Sequence, residues 1–207
     1  MDHYRDFKLL SFPRRTQHEI KASVTIDLFD FTVADADTSG WVEMSDTRRE
    51  VGMSKAVFPI QKTQAYQRAV FFALLNPQPS GAGFAGVDTE VKFNLSQCTT
   101  LDLRLRAGGE YSTFKVILYH KSEEVAVNYS YEQFFQGPRE FQVVRLLLAD
   151  FKAYFRGFLI EDAEPLDTSD ITRFGLQFMG GFTEGLYQSG PATLEVDWIK
   201  CSGWNLR

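Results

Sequence analysis

From about Val24 to Lys200 the chain is a succession of short apolar stretches, each bounded by Gly, Pro, Asn, Asp or Ser. The cleanest is "TLDLRLR" (100–106), where Leu101, Leu103 and Leu105 alternate with Asp102, Arg104 and Arg106. A period of two puts the leucines on one face of a strand and the charges on the other. "VTIDLFDF" (24–31), "KAVFPI" (55–60), "RAVFFALL" (68–75), "YSTFKVILY" (111–119), "VAVNYSY" (125–131), "FQVVRLLL" (141–148) and "TRFGLQFM" (172–179) continue the series. "ATLEVDWIK" (192–200) closes it, with Leu194, Val196 and Trp198 alternating against Glu195 and Asp197. About ten such strands with turn residues between them predict an all-β fold, a sandwich or barrel of jelly-roll type. "LADFKAYF" (148–155) reads as a short helix, and "DTSDI" (167–171) has room for one helical turn. Residues 1–22 are mixed, basic and weakly patterned, and are set apart as an N-terminal arm ahead of a single domain over 23–207.

One stretch, "SGAGFAG" (80–86), fits G-x-G-x-x-G through Gly81, Gly83 and Gly86. A dinucleotide site needs a strand before this motif, a helix after it and an acid about 20 residues on. "RAVFFALL" can supply the strand. "FAGVDTEVKF" alternates instead of forming a helix, and Asp102 sits on another alternating strand. The glycines therefore read as flexible loop positions or as a close backbone approach in a strand, with the stretch as a whole a turn over Ser80–Gly83 feeding a strand from Phe84 to Thr89.

Composition adds few constraints. A chain of 207 residues can bury roughly 70% of its unfolded surface. Nineteen phenylalanines suit a thick two-layer core. A net charge of −5 argues against a nucleic-acid binder, which ordinarily carries a basic face. Apolar runs stay well short of the roughly 20 residues that span a bilayer, so a transmembrane segment is not expected. The first residues, with Asp2 and Asp6, resemble neither a signal peptide nor an acid-poor transit peptide. Cys98 and Cys201 stand far apart without a C-x-x-C, and the expectation is two reduced, buried thiols of an intracellular protein.

Candidate chemistry is sparse. His3, His18 and His120 lack metal-ligand spacing, no serine sits in a G-x-S-x-G elbow, and neither metal nor cofactor is expected. Glu195 and Asp197 would project from one sheet face about 7 Å apart, a spacing open to glycosidase carboxylates or Ca²⁺ but also to an ordinary solvated face. Arg104 and Arg106 share a strand face and could join them in an ion-pair ladder or a polar binding surface. Arg48 and Arg49 make a small basic spot beside Asp46.

Several segments together resemble the complex I intermediate-associated protein 30 family. "WVEMSDTRREVGMS" (41–54) is similar to its Trp, Ser-Asp, Gly-Gly, Ser segment through Trp41, Ser45, Asp46, Gly52 and Ser54. "GAGFAGVDT" (81–89), "LDLRLRAGGEY" (101–111) and "FQVVRLLLADFKAYFRG" (141–157) resemble its Gly-Phe-Ala strand, its arginine-rich strand and glycine turn, and its segment ending in Phe and Arg-Gly. "PLDTSDITRFGLQF" (165–178) and "LEVDWI" (194–199) match the last two strands. The chain departs from the pattern at Val51–Gly52 for the double glycine, at "AGG" (107–109) for an acid-bearing turn, at Phe141 for a Trp and at Leu147 for a Pro.

The resemblance spans roughly 28–200 and implies a galactose-binding-like sandwich. It implies a non-catalytic scaffold that binds complex I intermediates or other assembly factors in the mitochondrial matrix, with the cytoplasm as the alternative compartment. Trp41 is then a buried anchor or a partner hot spot. Asp46, Arg48, Arg49, Arg104, Arg106, Glu195 and Asp197 are the remaining candidates for a partner or ligand surface. The arm, with Phe7, Leu9, Leu10 and Phe12, is a docking segment or an edge strand. Alternative functions are a carbohydrate-binding module using Arg104, Arg106 and nearby aromatics, a structural subunit of another large assembly, and a hydrolase using Glu195 and Asp197.

Overall fold

A computed structural model describes residues 23–79, 83–121, 129–180 and 187–204. The expected arm over 1–22 lies outside them, as do Ser80, Gly81 and Ala82 of the glycine turn and residues 125–128 of the expected strand over 125–131.

Among the described residues, fourteen strands form two antiparallel sheets. The first contains β1 (Ser23–Asp30), β3 (Lys55–Val57), β4 (Ile60–Lys62), β5 (Gln67–Leu75), β7 (Thr100–Gly109), β10 (Gln142–Leu147) and β14 (Gly190–Trp204), in the order β10-β7-β14-β5-β3. The second contains β2 (Val42–Glu43), β6 (Phe84–Phe93), β8 (Thr113–His120), β9 (Ser130–Gln136), β11 (Lys152–Phe155), β12 (Phe158–Leu159) and β13 (Ile171–Met179), in the order β12-β11-β9-β8-β13-β6-β2.

The alternation read from the sequence sets the phase of these strands. On β7, Leu101, Leu103 and Leu105 are fully buried while Arg104 and Arg106 are half-exposed. On β5, Ala69, Phe71, Ala73 and Leu75 point inward and Arg68, Val70, Phe72 and Leu74 point outward. The inner faces meet through phenylalanines. Phe71 of the first sheet contacts Phe114 of the second at 6.3 Å between ring centroids, and Phe29 contacts Phe174 at 5.5 Å. Rings at these distances and steep angles add to plain area burial.

β14 is the spine of the first sheet. One of its edges pairs with β7 along nearly its whole length; the other pairs with β5 over Gly190–Val196 and with β1 over Trp198–Trp204. Its register against β7 shifts between Val196 and Trp198, which makes Asp197 an extra residue in a bulge. The strict alternation expected over 192–200 is thereby corrected. Beyond the bulge the phase inverts, so Ile199 and Cys201 enter the core and Trp198 lies outward, 4.9 Å from the Lys200 ammonium.

Three further expectations are corrected. The stretch 148–155 is a single 3₁₀ turn, Leu148–Asp150, followed by strand β11, because Lys152, Ala153 and Tyr154 pair with Glu132, Tyr131 and Ser130. Residues 167–171 hold a hydrogen-bonded turn and no helix, with Asp167 bonding Ser169. Cys98 and Cys201 are joined in a disulfide with Cα atoms 5.8 Å apart, not reduced thiols. A separation of 103 residues conceals that the loop before β7 runs beside β14, where Thr99 N–H bonds Ser202 at 2.8 Å.

The strand expected after the glycine turn is β6, and of the two readings of the glycines the close backbone approach holds at Gly86. A Cβ there would lie 2.9 Å from the Leu176 carbonyl oxygen and 3.1 Å from that of Met44. Gly86→Ala forces two backbones apart, and we expect a loss of about 1–3 kcal/mol in chemical denaturation. The Cys98–Cys201 disulfide closes a loop over a sequence separation of 103 residues and is expected to contribute about 2–5 kcal/mol. Reductant should therefore lower the melting temperature of the wild-type chain and leave that of a Cys98→Ala, Cys201→Ala variant unchanged.

Candidate functional site

The eight candidate residues separate into two groups. Arg104, Arg106, Glu195 and Asp197 converge on the outward face of the first sheet. Trp41, Asp46, Arg48 and Arg49 lie on and around β2 and the loop that follows it.

On the outward face, β7 presents Arg104 and Arg106, β14 presents Glu195 and the bulged Asp197, and β5 adds Arg68. Arg104 Nε donates to Asp197 Oδ2 at 2.9 Å, and Arg106 Nε and Nη2 reach Glu195 Oε1 at 2.8 and 2.7 Å. Arg68 Nη1 donates to Glu195 Oε2 at 2.8 Å, and its Nε lies 3.6 Å from Asp197 Oδ1. The Phe141 ring lies under all three guanidinium groups, at 4.3 Å from that of Arg68, 5.0 Å from Arg106 and 5.7 Å from Arg104. Tyr66 covers Arg68 at 4.0 Å. The row continues with Arg145 on Asp102 at 2.9 Å, an acid that also accepts from Ser202.

This is the ion-pair ladder, held by charge-assisted bonds and cation–π contacts. Both carboxylates are engaged by arginines, which is the wrong setting for a glycosidase acid or a Ca²⁺ ligand set. Among the described residues no cluster of His, Cys, Asp and Glu is placed to hold a metal ion. Arg68 and Phe141, which complete the ladder, were missed in the sequence. The strand itself is legible in "RAVFFALL", but neither its phase nor the pairing of Val70 with Glu195 that brings Arg68 alongside is.

The second group disperses. Trp41 is half-buried in an aromatic cluster, 4.6 Å from Phe58, 5.1 Å from Phe29 and 6.0 Å from Phe174. Asp46 is corrected as a surface candidate because it has no exposed area. Its carboxylate accepts from the Ser54 N–H and Oγ–H, each at 2.8 Å, and from Phe84 N–H at 3.3 Å. The Ser-Asp…Ser pattern of this loop thus works as a clasp between the loop and β6. Arg48 is exposed and donates to the Glu43 carbonyl at 2.8 Å; Arg49 is exposed over Phe84 at 5.3 Å.

The second sheet holds a polar cluster that was not singled out in the sequence. Lys115 and Glu132 sit in the outward phase of β8 and β9, yet both are buried and paired with one another. Glu132 also accepts from Ser130 Oγ at 2.8 Å. Burial pushes the Lys115 ammonium below its ordinary value against the pull of Glu132. Nearby, burial raises the Asp88 carboxyl in spite of Arg173, 3.6 Å away, and Arg48. Nothing in "TFKVILYH" distinguishes a buried outward lysine from a solvated one.

His120 closes β8. Its Nδ1 accepts from Asp167 N–H at 2.6 Å, which fixes the neutral tautomer with hydrogen on Nε2. The ring lies 4.7 Å from Tyr131, whose hydroxyl donates to the Glu164 carbonyl at 2.6 Å. Burial, followed by Lys121, holds the imidazole below its usual range. An open pocket of about 420 Å³ lies beside Tyr131, between β11, β12 and Glu161–Pro165.

Comparison with known proteins agrees with this architecture. The chain is similar to the family 11 carbohydrate-binding module from Clostridium thermocellum in complex with a β-1,3-1,4-mixed-linked tetrasaccharide, with a TM-score of 0.63 and 14% identity over 86% of this chain and 95% of that one. It is also similar to the family 30 module of a cellulosomal cellulase of Clostridium thermocellum, with a TM-score of 0.58 and 12% identity over 87% of this chain and 98% of that one. At these identities the likeness is one of fold alone, a two-sheet β-sandwich. Residues 29–196 match the complex I intermediate-associated protein 30 family, and the chain belongs to that family. Uncharacterized protein C9E9.15 of Schizosaccharomyces pombe is 29% identical over 143 residues, 64% of this chain and 64% of its own length.

Three outcomes follow from the geometry. Asp46→Ala leaves the Ser54 and Phe84 N–H groups without their acceptor, each costing about 1–3 kcal/mol on unfolding. Lys115→Met alone strands a buried carboxylate and should cost about 3–5 kcal/mol, whereas Lys115→Met with Glu132→Leu should recover most of it. His120 has a folded-state pKa below its unfolded one, so its contribution is fully present above the unfolded value and is lost as pH falls through the folded value. The acid limb of the stability profile should accordingly flatten in His120→Gln.

Proposed function

We propose that this chain is a non-catalytic protein-interaction scaffold that binds intermediates or other assembly factors of respiratory complex I in mitochondria, with the matrix as its compartment. The observation that carries this reading is the family match over residues 29–196. The site chemistry fits it. The carboxylates that offered a hydrolase reading are neutralised by Arg68, Arg104 and Arg106. Arginines locked against an aromatic ring are what a protein docking surface uses, because little side-chain freedom remains to be lost on binding. The likeness to carbohydrate-binding modules is carried by fold, and fold alone assigns no ligand.

The test is native-gel separation of mitochondria from the source organism, with the endogenous chain replaced by a tagged copy. The tag should comigrate with subcomplexes containing complex I subunits, and deletion should lower the mature complex. A tag that runs free of every such subcomplex, together with normal complex I in the deletion, would sink the proposal.

A further inference from the structure

Arg68, Arg104 and Arg106 carry one more charge than Glu195 and Asp197 neutralise, three against two. The excess sits on a chain whose net charge is −5, so this face opposes the sign of the whole molecule. The Arg104 and Arg106 side chains remain 42% and 40% exposed while each is anchored by its Nε. They stand two residues apart on one face of β7, about 7 Å from each other.

The same face continues into an apolar strip. Beyond Arg68, β5 turns Phe72 and Leu74 outward at 41% and 44% exposure. Val57 on β3 is the cross-strand neighbour of Phe72 and is 54% exposed. Five strands from β10 to β3, at about 4.8 Å each, make a surface roughly 20 Å wide. That is the scale of a standard interface of about 800 Å² per partner.

We infer that this face is a docking surface for a partner protein that presents carboxylates beside apolar side chains. The inference rests on the scaffold reading and names its surface and the chemistry of its partner. The positive excess steers an acidic surface onto the face. Arginines already held by Glu195, Asp197 and Phe141 are preorganised to accept those carboxylates. Phe72, Leu74 and Val57 supply the apolar area. A nucleic acid fits less well, since its phosphates need a basic stripe and here one net charge borders an apolar strip.

The test uses the full chain and fluorescence anisotropy of three labelled probes: an extended peptide alternating glutamate with leucine, its lysine–leucine counterpart, and a thymidine oligonucleotide. We expect the glutamate peptide to bind at least about tenfold more tightly than the lysine peptide, and to weaken with added salt. The double variants Arg104→Gln with Arg106→Gln and Phe72→Ser with Leu74→Ser should each weaken it by about tenfold. Glutamate binding no tighter than lysine binding, or binding unchanged in both variants, overturns the inference; so does tighter binding of the oligonucleotide. If the arginine variant unfolds by circular dichroism, the Phe72 and Leu74 variant decides, since both side chains are exposed. In the native-gel assay, that variant comigrating as the wild type does would overturn this face and leave the scaffold reading standing. A wild-type chain that fails to comigrate, together with normal complex I in the deletion, overturns the scaffold reading, and the peptide measurement still decides the face.

Discussion

The structure depends on the packing of two inner sheet faces across one layer of phenylalanine rings. Phe71 and Phe29 come from one sheet, and Phe114, Phe174 and Phe178 from the other. Large rings hold two sheets about 10 Å apart without cavities. They also allow small residues beneath them, and Ala69, Ala73, Ala85 and Ala192 are fully buried in the same layer. With the inner phase of each strand committed to this layer, the outer phase is left to specialise.

The two outer faces specialise differently. On the first sheet, arginines and carboxylates alternate across β7, β14 and β5; Arg68, Glu195 and Asp197 are largely covered, while Arg104 and Arg106 stay half-exposed and are held in place by their acids. On the second sheet, Lys115, Glu132 and Asp88 are buried, and each charge survives only through its neighbour. The first arrangement is a surface that another molecule can meet. The second behaves as structure, fixing the register of β8 against β9 because a slip of one residue would separate the lysine from its acid.

Much of this was legible in the sequence because strand alternation is local. Leu101, Leu103 and Leu105 against Arg104 and Arg106 gave the phase of β7, while β5, β8, β10 and β13 were legible as strands from apolar stretches between turn residues, without their phase. The stretch 148–155 misled because its spacing of Leu148, Phe151 and Phe155 satisfies a helical period over too few residues to exclude a strand. The Asp197 bulge left no mark, since alternation looks the same until a pairing partner reveals the extra residue. The disulfide and the position of Arg68 beside Glu195 were illegible for one reason: both are products of which strands become neighbours. Fold class followed from the pattern within strands, and the ladder followed only in part, because half of it is set between them.

β14 has a consequence for how the molecule is made. It is the last of the described strands to be synthesised, yet it stands in the middle of its sheet with β7 on one side and β5 and β1 on the other. Until it arrives, β5 and β7 lack the neighbour that joins them, Arg104 and Arg106 lack their acids, and Cys98 lacks its sulfur partner. Assembly must therefore wait on contacts of long sequence separation, which are the slow ones. The first sheet therefore cannot close as a single layer before β14 has been made, and its two halves, β10 with β7 and β5 with β3, are fastened together only by that strand.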